Sequence, residues 1–221
     1  MKPMVLINLK TYEQGTGKAA LSLARKADAV ARKTKANIVL AVQPTDLARI
    51  AGEVGIPVYA QHVDPVNPGS HTGSILPEAV KEAGARGTLI NHSERNIPLE
   101  SIGECVARCK ELGLVTVCCA DTPLKAGQIA KFLPDFIAIE PPELIGGKVS
   151  VSTAKPEIIE QTVDEVKKVD ENVIVLCGAG VNSGKDVGKA IELGAAGVLV
   201  ASAVVKAKDP GKAIEELLGG L

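Results

Sequence analysis

The chain alternates from end to end between short apolar, β-branched runs and longer stretches that repeat with the period of a helix. The apolar runs lie at residues 4–9, 38–42, 57–61, 88–91, 114–119, 136–140, 173–177 and 197–201. The stretches after them predict helices at residues 17–33, 44–54, 75–84, 98–112, 123–131, 155–168, 183–193 and 209–218. Prolines near many of the predicted helix starts support these boundaries, because proline suits the first helical turn.

The runs are apolar at consecutive positions, which is typical of strands buried on both faces of a parallel sheet. Eight strand–helix units without a linker-like stretch predict a single (β/α)8 TIM barrel domain over residues 1–221. Its helices should be short, because such barrels usually have about 250 residues. An open doubly wound sheet is the alternative, but that fold usually has fewer strands. With only two Tyr, two Phe and no Trp, the core should consist of Val, Ile, Leu and Ala.

The composition argues against several classes of protein. The 25 basic and 26 acidic residues nearly cancel, and no basic run occurs, so a nucleic acid is not expected as a partner. No apolar stretch reaches the roughly 18 residues of a membrane span, and the run at 4–9 is too short for a signal peptide. We therefore expect a cytoplasmic protein that does not bind membranes.

The five cysteines are an odd number and include an adjacent pair, so they make a poor disulfide framework. Cys105 and Cys109 are spaced by one helical turn, but no second pair of ligands completes a zinc site. We expect buried thiols, no metal and no organic cofactor.

The active site of such a barrel lies at the carboxyl ends of its strands. Glu140 ends the sixth run, where desolvation would make its carboxylate a stronger base. His92 follows the fourth run and could polarise a carbonyl, and Lys10 follows the first and could stabilise an oxyanion. Taken singly, each also fits an ordinary structural or surface role. Glu94 and Arg95 are expected to form an ion pair beside them.

A second pattern follows the last two runs. Residues 178–184 read GAGVNSG, and residues 201–203 read ASA. Backbone N–H groups of glycine loops bind anions, and barrels often hold phosphate after strands seven and eight. The loop has one residue too many before Gly184 for a dinucleotide fingerprint, and Ala179 and Asp186 stand where a Walker loop needs glycine and Ser/Thr. The pattern therefore predicts a phosphate site without naming a substrate.

Five motifs in this order resemble the triosephosphate isomerase family. They are Asn8-x-Lys10, NHSER at 91–95, IEPPELIGG at 139–147, GAGVNSG at 178–184 and LVAS at 199–202. The resemblance covers the whole chain, and EPPELIG and VVKAKDP together with the short length resemble the archaeal branch. It implies interconversion of dihydroxyacetone phosphate and D-glyceraldehyde 3-phosphate through an enediolate, in glycolysis and gluconeogenesis, without a cofactor.

The resemblance also implies a role for individual residues. Glu140 is the implied base, His92 the neutral electrophile and Lys10 the group that stabilises charge, with Glu94 as a partner behind the site. The implied substrate contacts are Asn8, Leu9, Lys10, Ile145, Gly146, Gly180, Ser183, Ala201 and Ser202.

Two departures from the family's usual pattern stand out. Asn96 follows NHSER where a second arginine is usual, and Gly147-Lys148 stand where Thr-Gly is usual. The first affects a local ion pair, and the second could alter the closure of the long loop after Glu140, which is expected to act as a lid.

The segment after the third run, residues 60–73, matches a family loop that reaches into a neighbouring subunit. The resemblance therefore implies a homo-oligomer, a tetramer by its archaeal features, with a dimer as the alternative.

Two other functions fit parts of the pattern. One is an isomerase or aldolase of a larger phosphosugar, and an aldolase would depend on a Schiff base at Lys10. The other is a catalytically silent phosphate-binding barrel. Loss of His92 or Glu140 would mark such a protein, and both residues are present.

Overall fold

The structure is a computed structural model that describes residues 2–141 and 150–221. Its strands are β1 Met4–Asn8, β2 Asn37–Val42, β3 Val58–Ala60, β4 Gly87–Ile90, β5 Val115–Ala120, β6 Phe136–Ile139, β7 Ile174–Cys177 and β8 Gly197–Val200. Each strand is parallel to the next, and β1 pairs with both β2 and β8, so the sheet closes into a barrel. The predicted (β/α)8 architecture is confirmed.

The helices lie between the strands, and all the predicted ones except the first are shorter than the sequence pattern predicts. They are α1 Gly17–Thr34, α2 Pro44–Ala51, α3 Pro77–Glu82, α4 Leu99–Glu111, α5 Pro123–Ala130, α6 Val151–Ala154, α7 Pro156–Lys167, α8 Gly184–Glu192, α9 Ser202–Val205 and α10 Pro210–Leu218. A 3-10 turn at Glu13–Gly15 and the short helices α6 and α9 are absent from the predicted set. Among the helices built from the described residues, none combines the length and apolar character that a membrane-spanning segment needs.

Two apolar layers hold the barrel together. Alternate strand residues such as Met4 and Leu6 point into the interior, while Val5 and Ile7 pack against the helices. This follows from the two-residue period of a strand. The interior is mainly aliphatic, as expected, but it also contains the rings of Tyr59 and Phe136.

The ring of Tyr59 fits inside the barrel because the neighbouring strand begins with glycine. A Cβ atom on Gly87 would lie 2.9 Å from Cζ of Tyr59 and 2.5 Å from the carbonyl oxygen of Val115. No side chain can be added there without moving β5 or the ring.

All five cysteines are free and buried. Burial raises the pKa of Cys105, Cys109 and Cys177 to about 12, and raises those of Cys118 and Cys119 well above the ordinary value. Because thiolates react and thiols do not, these side chains are core residues with little reactivity.

Candidate active site

Strand alternation directs two of the predicted site residues into the mouth of the barrel. Asn8 continues the inward series of Met4 and Leu6, and Glu140 continues that of Phe136 and Ala138. The N–H of Glu140 still donates to the carbonyl of Ala120 at 2.8 Å, so the backbone leaves the sheet only after this residue. The Asn8 and Glu140 side chains are buried and line one cavity.

His92 reaches the same cavity by a turn in the backbone. Asn91 adopts a left-handed conformation with φ 60°, and its side chain holds the turn. Its Nδ2 donates to the carbonyl of Cys119 at 2.9 Å, and its Oδ1 accepts from the N–H of Ile97 at 3.0 Å. Asn91 thus aims the following imidazole across the mouth, where Nε2 of His92 lies 3.5 Å from Oε1 of Glu140.

The other imidazole nitrogen determines the tautomer of His92. Its Nδ1 accepts a hydrogen bond from the N–H of Glu94 at 3.1 Å. A nitrogen that accepts carries no proton, so the neutral ring has its proton on Nε2 and can donate it into the cavity. Within the described residues, Nε2 of His92 and Oε2 of Glu140 are buried and lack a hydrogen-bond partner. Both atoms are available to a ligand.

The electrostatics of Glu140 differ from the sequence-based expectation. Burial is the largest influence and acts to raise the pKa of this carboxyl. The contacts with His92 and Cys119 and the charge of Lys10 together outweigh burial and hold the pKa below its ordinary value. Glu140 is therefore an ionised carboxylate at neutral pH, and its surroundings stabilise this form rather than make it more basic.

Lys10 enters the site from a strained backbone conformation. Its φ of 48° lies in the left-handed region, which costs a residue with a side chain about 1 kcal/mol or more. The N–H of Lys10 donates to Oδ1 of Asn8 at 2.9 Å, and its carbonyl accepts from Nε2 of Gln61 at 3.0 Å. Nε2 of Gln61 also lies 3.2 Å from Oδ1 of Asn8 and 3.3 Å from the carbonyl oxygen of Ala41.

Sequence reasoning assigned no role to Gln61, which follows β3. The signal was its place at a strand end, the same signal that identified the other residues. Its amide nitrogen lies within hydrogen-bonding distance of oxygen atoms of Asn8, Lys10 and Ala41, and it thereby holds Asn8 and the turn at Lys10 together.

The predicted ion pair between Glu94 and Arg95 is wrong. Oε1 of Glu94 lies 2.8 Å from Nζ of Lys10, and the Arg95 guanidinium lies 3.4 Å from Oδ1 of Asp64. Adjacent residues in this turn point in different directions, so each reaches a charge on another loop.

The loop after β7 adds backbone groups to the lining of the same cavity. Ala179 and Gly180 both have φ 67°, a left-handed pair that turns the chain into the cavity lining. Oδ2 of Asp186 accepts from the N–H groups of Asn182 and Ser183 at 3.0 Å each. The Asp186 carboxylate thus caps the start of α8 and occupies these two N–H groups. The backbone groups left for an anion are those before residue 182 and those at 201–202.

Three further predicted contacts need separate description. The hydroxyl of Ser183 donates to Oδ2 of Asp186 at 2.9 Å and caps α8, and Ser183 does not line the cavity. Leu9 is fully buried in the layer between barrel and helices. Ala201 and Ser202 line the cavity beside Gly180. Ile145 and Gly146, like the Gly147-Lys148 departure, lie outside the described residues.

One lining residue was missed altogether. Tyr12 lines the cavity together with Lys10 and residues of the last two loops, and Nζ of Lys206 lies 4.2 Å from the centroid of its ring. In the described ranges, 2–141 and 150–221, no group of three or more His, Cys, Asp or Glu side chains could hold a metal ion.

Comparisons with known proteins agree on one family. The family model described as triosephosphate isomerase matches residues 3–217. Triosephosphate isomerase of Methanothermus fervidus is 48% identical over 217 residues, covering 98% of each chain. That of Methanobacterium bryantii is 50% identical over 216 residues, covering 98% of this chain and 96% of the relative. That of Saccharolobus solfataricus is 47% identical over 216 residues, covering 98% and 95%.

The fold is also shared with a solved structure. The crystal structure of triosephosphate isomerase from Bartonella henselae superposes with a TM-score of 0.76 and 22% identity, covering 99% of this chain and all of that one.

Proposed function

Because the chain belongs to the triosephosphate isomerase family, we propose that Glu140, His92 and Lys10 carry out the family's reaction here. That reaction, the interconversion of dihydroxyacetone phosphate and D-glyceraldehyde 3-phosphate, makes the chain an isomerase that acts on a small triose phosphate. The likeness to archaeal members, at about half of all positions over nearly the whole chain, agrees with the archaeal motifs in the sequence.

The convergence of Glu140 and His92 supports the proposal most strongly. The Glu140 carboxylate removes a proton from the carbon next to the substrate carbonyl, leaving an enediolate. Nε2–H of His92 donates to the developing oxyanion, and the Lys10 ammonium stabilises its negative charge. The hydroxyl proton on the first carbon's oxygen then moves to the former carbonyl oxygen, and Glu140, now protonated, returns its proton to the adjacent carbon. The base is regenerated, and no external acid or base is consumed. Oε2 of Glu140 and Nε2 of His92 are buried and without a described partner, ready for these contacts.

The phosphate provides binding energy away from the reacting carbons. We assign it to backbone groups at Gly180 and at Ala201-Ser202, with Asn8 as a further contact of the triose. Leu9, Ile145, Gly146 and Ser183 complete the set implied by the family, with Glu94 behind Lys10. The Ser183 hydroxyl binds Asp186 and the Leu9 side chain packs in the core. We therefore assign these two residues a role through their backbone rather than their side chains.

We also propose that residues 1–221 form one domain and that the protein works in the cytoplasm, in glycolysis and gluconeogenesis. No cofactor enters the proposed steps, since proton transfer within one substrate needs neither redox chemistry nor a Lewis acid. The closure of β8 on β1 supports the single domain, because the first and last strands complete the same barrel.

A homotetramer, with a dimer as the alternative, is the proposed assembly. The loop 61–75 is pinned at its base, where the N–H of Ile75 donates to Oδ2 of Asp64 at 2.6 Å, and its tip at 67–74 is exposed. A cavity of about 300 Å³ opens beside Lys10 and Glu94, where a partner's loop could bind.

A coupled assay in both directions tests the function, with sedimentation equilibrium over a range of concentrations to test the assembly. Turnover of the triose phosphates, inhibited competitively by a phosphoglycolate-type analogue, is the expected result. A folded protein without turnover above the blank would refute the activity. Borohydride trapping at Lys10 would favour an aldolase, although the ammonium form paired with Glu94 is not a nucleophile.

A further inference from the structure

The charges that line the cavity do not explain how it attracts its substrate. This inference rests on the proposed function, in which the ligand carries a phosphate of about −1.5 to −2 charges. Among the described lining residues, Lys10 carries +1 and Glu140 carries −1, and Lys10 is paired with the carboxylate of Glu94. These three side chains sum to −1. The described side-chain charges at the cavity therefore do not themselves attract a phosphate, and a nearby positive group would favour its approach.

Lys206 is placed to be that group. It directly follows α9, whose first residue, Ser202, lines the cavity. Its Nζ lies 4.2 Å from the centroid of the Tyr12 ring, and Tyr12 lines the same cavity as Gly180 and Ser202. No ion pair joins Lys206 to a carboxylate of the described residues. Its charge is not cancelled locally, unlike that of Lys10.

The ring of Tyr12 restricts the position of the Lys206 ammonium. A lysine side chain has a long flexible stem, and an exposed ammonium samples many positions. The negative face of an aromatic ring attracts a cation, so Tyr12, which lines the cavity, holds the exposed ammonium beside its ring. The contact links the loop after β1 to the segment after β8, which are neighbours in the closed barrel.

We propose that Lys206, which lies over the ring of Tyr12, recognises the phosphate of the substrate by attracting it to the cavity that Tyr12, Gly180 and Ser202 line. Lys206 acts on binding and orientation of the phosphate group. It takes no part in moving the proton. The effect should therefore depend on the presence of a phosphate and on ionic strength, because salt screens an exposed charge.

Replacement of Lys206 by methionine tests this with two substrates, D-glyceraldehyde 3-phosphate and D-glyceraldehyde. For K206M we expect kcat/KM with the phosphorylated triose to fall about three- to tenfold at low salt, mainly through KM. The value with unphosphorylated glyceraldehyde should stay unchanged, and the loss should shrink at about 0.5 M salt. K206R should restore the wild-type ratio, since arginine also stacks on aromatic faces.

Lys208→Met is the matched control, because it removes the same charge two residues away. It should change kcat/KM for the phosphorylated triose less than about twofold. In a Tyr12→Leu background K206M should have a smaller effect, since the ring no longer holds the ammonium.

Three results would overturn the proposal: equal losses with both substrates, equal losses in K206M and K208M, or no loss in K206M. A wild-type chain without triose phosphate turnover would refute the proposed function itself, and with it the premise of this inference. Measuring wild-type turnover therefore distinguishes failure of the Lys206 proposal from failure of the proposed function.

Discussion

Nε2 of His92 faces Oε1 of Glu140 across the mouth of the barrel at 3.5 Å. No described residue forms a hydrogen bond with Nε2 of His92 or with Oε2 of Glu140, and both atoms are buried. The two residues are 48 positions apart in the chain, and different devices orient them. Strand alternation directs Glu140 inward, whereas the left-handed turn at Asn91 redirects His92. The donor and the acceptor therefore face one position in the cavity.

The tautomer of His92 can be observed directly. Because Nδ1 accepts from the N–H of Glu94, the neutral ring should carry its proton on Nε2. Nitrogen-15 NMR of labelled protein should show this tautomer, with His92→Gln identifying the signal. A neutral ring protonated on Nδ1 would contradict the assigned hydrogen bond.

Gln61 should control activity through Lys10. Gln61→Glu places a carboxylate against the oxygen atoms of Asn8, Lys10 and Ala41, where the amide now donates, so the strained turn at Lys10 should relax. We expect kcat/KM to fall about 10- to 100-fold. In a Lys10→Met background the same change should have little further effect, because the two residues act as one unit.

Gln43→Glu is the matched control for this variant. Gln43 lines the neighbouring cavity but donates to the hydroxyl of Thr16 at 2.8 Å, away from Asn8 and Lys10. Comparable losses in the two variants, or additive effects of Gln61→Glu and Lys10→Met, would exclude the positioning role of Gln61.

Much of this molecule follows from sequence because its strands are buried on both faces. The apolar runs place β6 and β8 within a residue of their observed ends, and the strand-end rule identifies Glu140. The predicted helix ends are less accurate. For example, α3 spans Pro77–Glu82 rather than 75–84, because a helical repeat in the sequence does not show at which residue the helix ends.

The contacts that tune the site were not predictable in this way. The hydrogen bond between Gln61 and Lys10 spans 51 positions, and the contact between Lys206 and Tyr12 joins opposite ends of the chain. No local pattern encodes such pairs. The pKa of Glu140 was missed for the same reason, because its direction depends on His92, Cys119 and Lys10 rather than on burial alone.

The thiols should be inert in the folded protein. Burial raises the pKa of Cys105 and Cys109 to about 12, and the other three are also buried and raised. At pH 8, reaction with a disulfide reagent should be negligible in native buffer, and five thiols should react in denaturant. Rapid reaction of any thiol in the native, active protein would contradict the burial of that residue.

His62 should make stability depend on pH. Burial lowers the pKa of His62 in the folded chain despite its contact with Asp64 at 3.0 Å, and the nearby Arg95 acts in the same direction as burial. Below about pH 6.5 the unfolded chain therefore binds more protons at this residue, and stability falls as the pH drops from there. Denaturant unfolding at several pH values should show this loss.

His62→Gln should flatten the profile around pH 6, whereas His71→Gln in the exposed loop tip should leave it as in the wild type. A profile that is identical in the wild type and in His62→Gln would show that His62 does not carry the effect.

The central claim is that Glu140 is the base, and the turnover number of Glu140→Gln tests it most directly. Glutamine keeps the shape of the side chain but cannot accept the proton, while Glu13→Gln changes an exposed carboxylate outside the cavity lining and serves as the control. We predict that kcat of Glu140→Gln falls by about 10³-fold or more, with the fold intact and Glu13→Gln fully active. Wild-type turnover in folded Glu140→Gln would contradict the account.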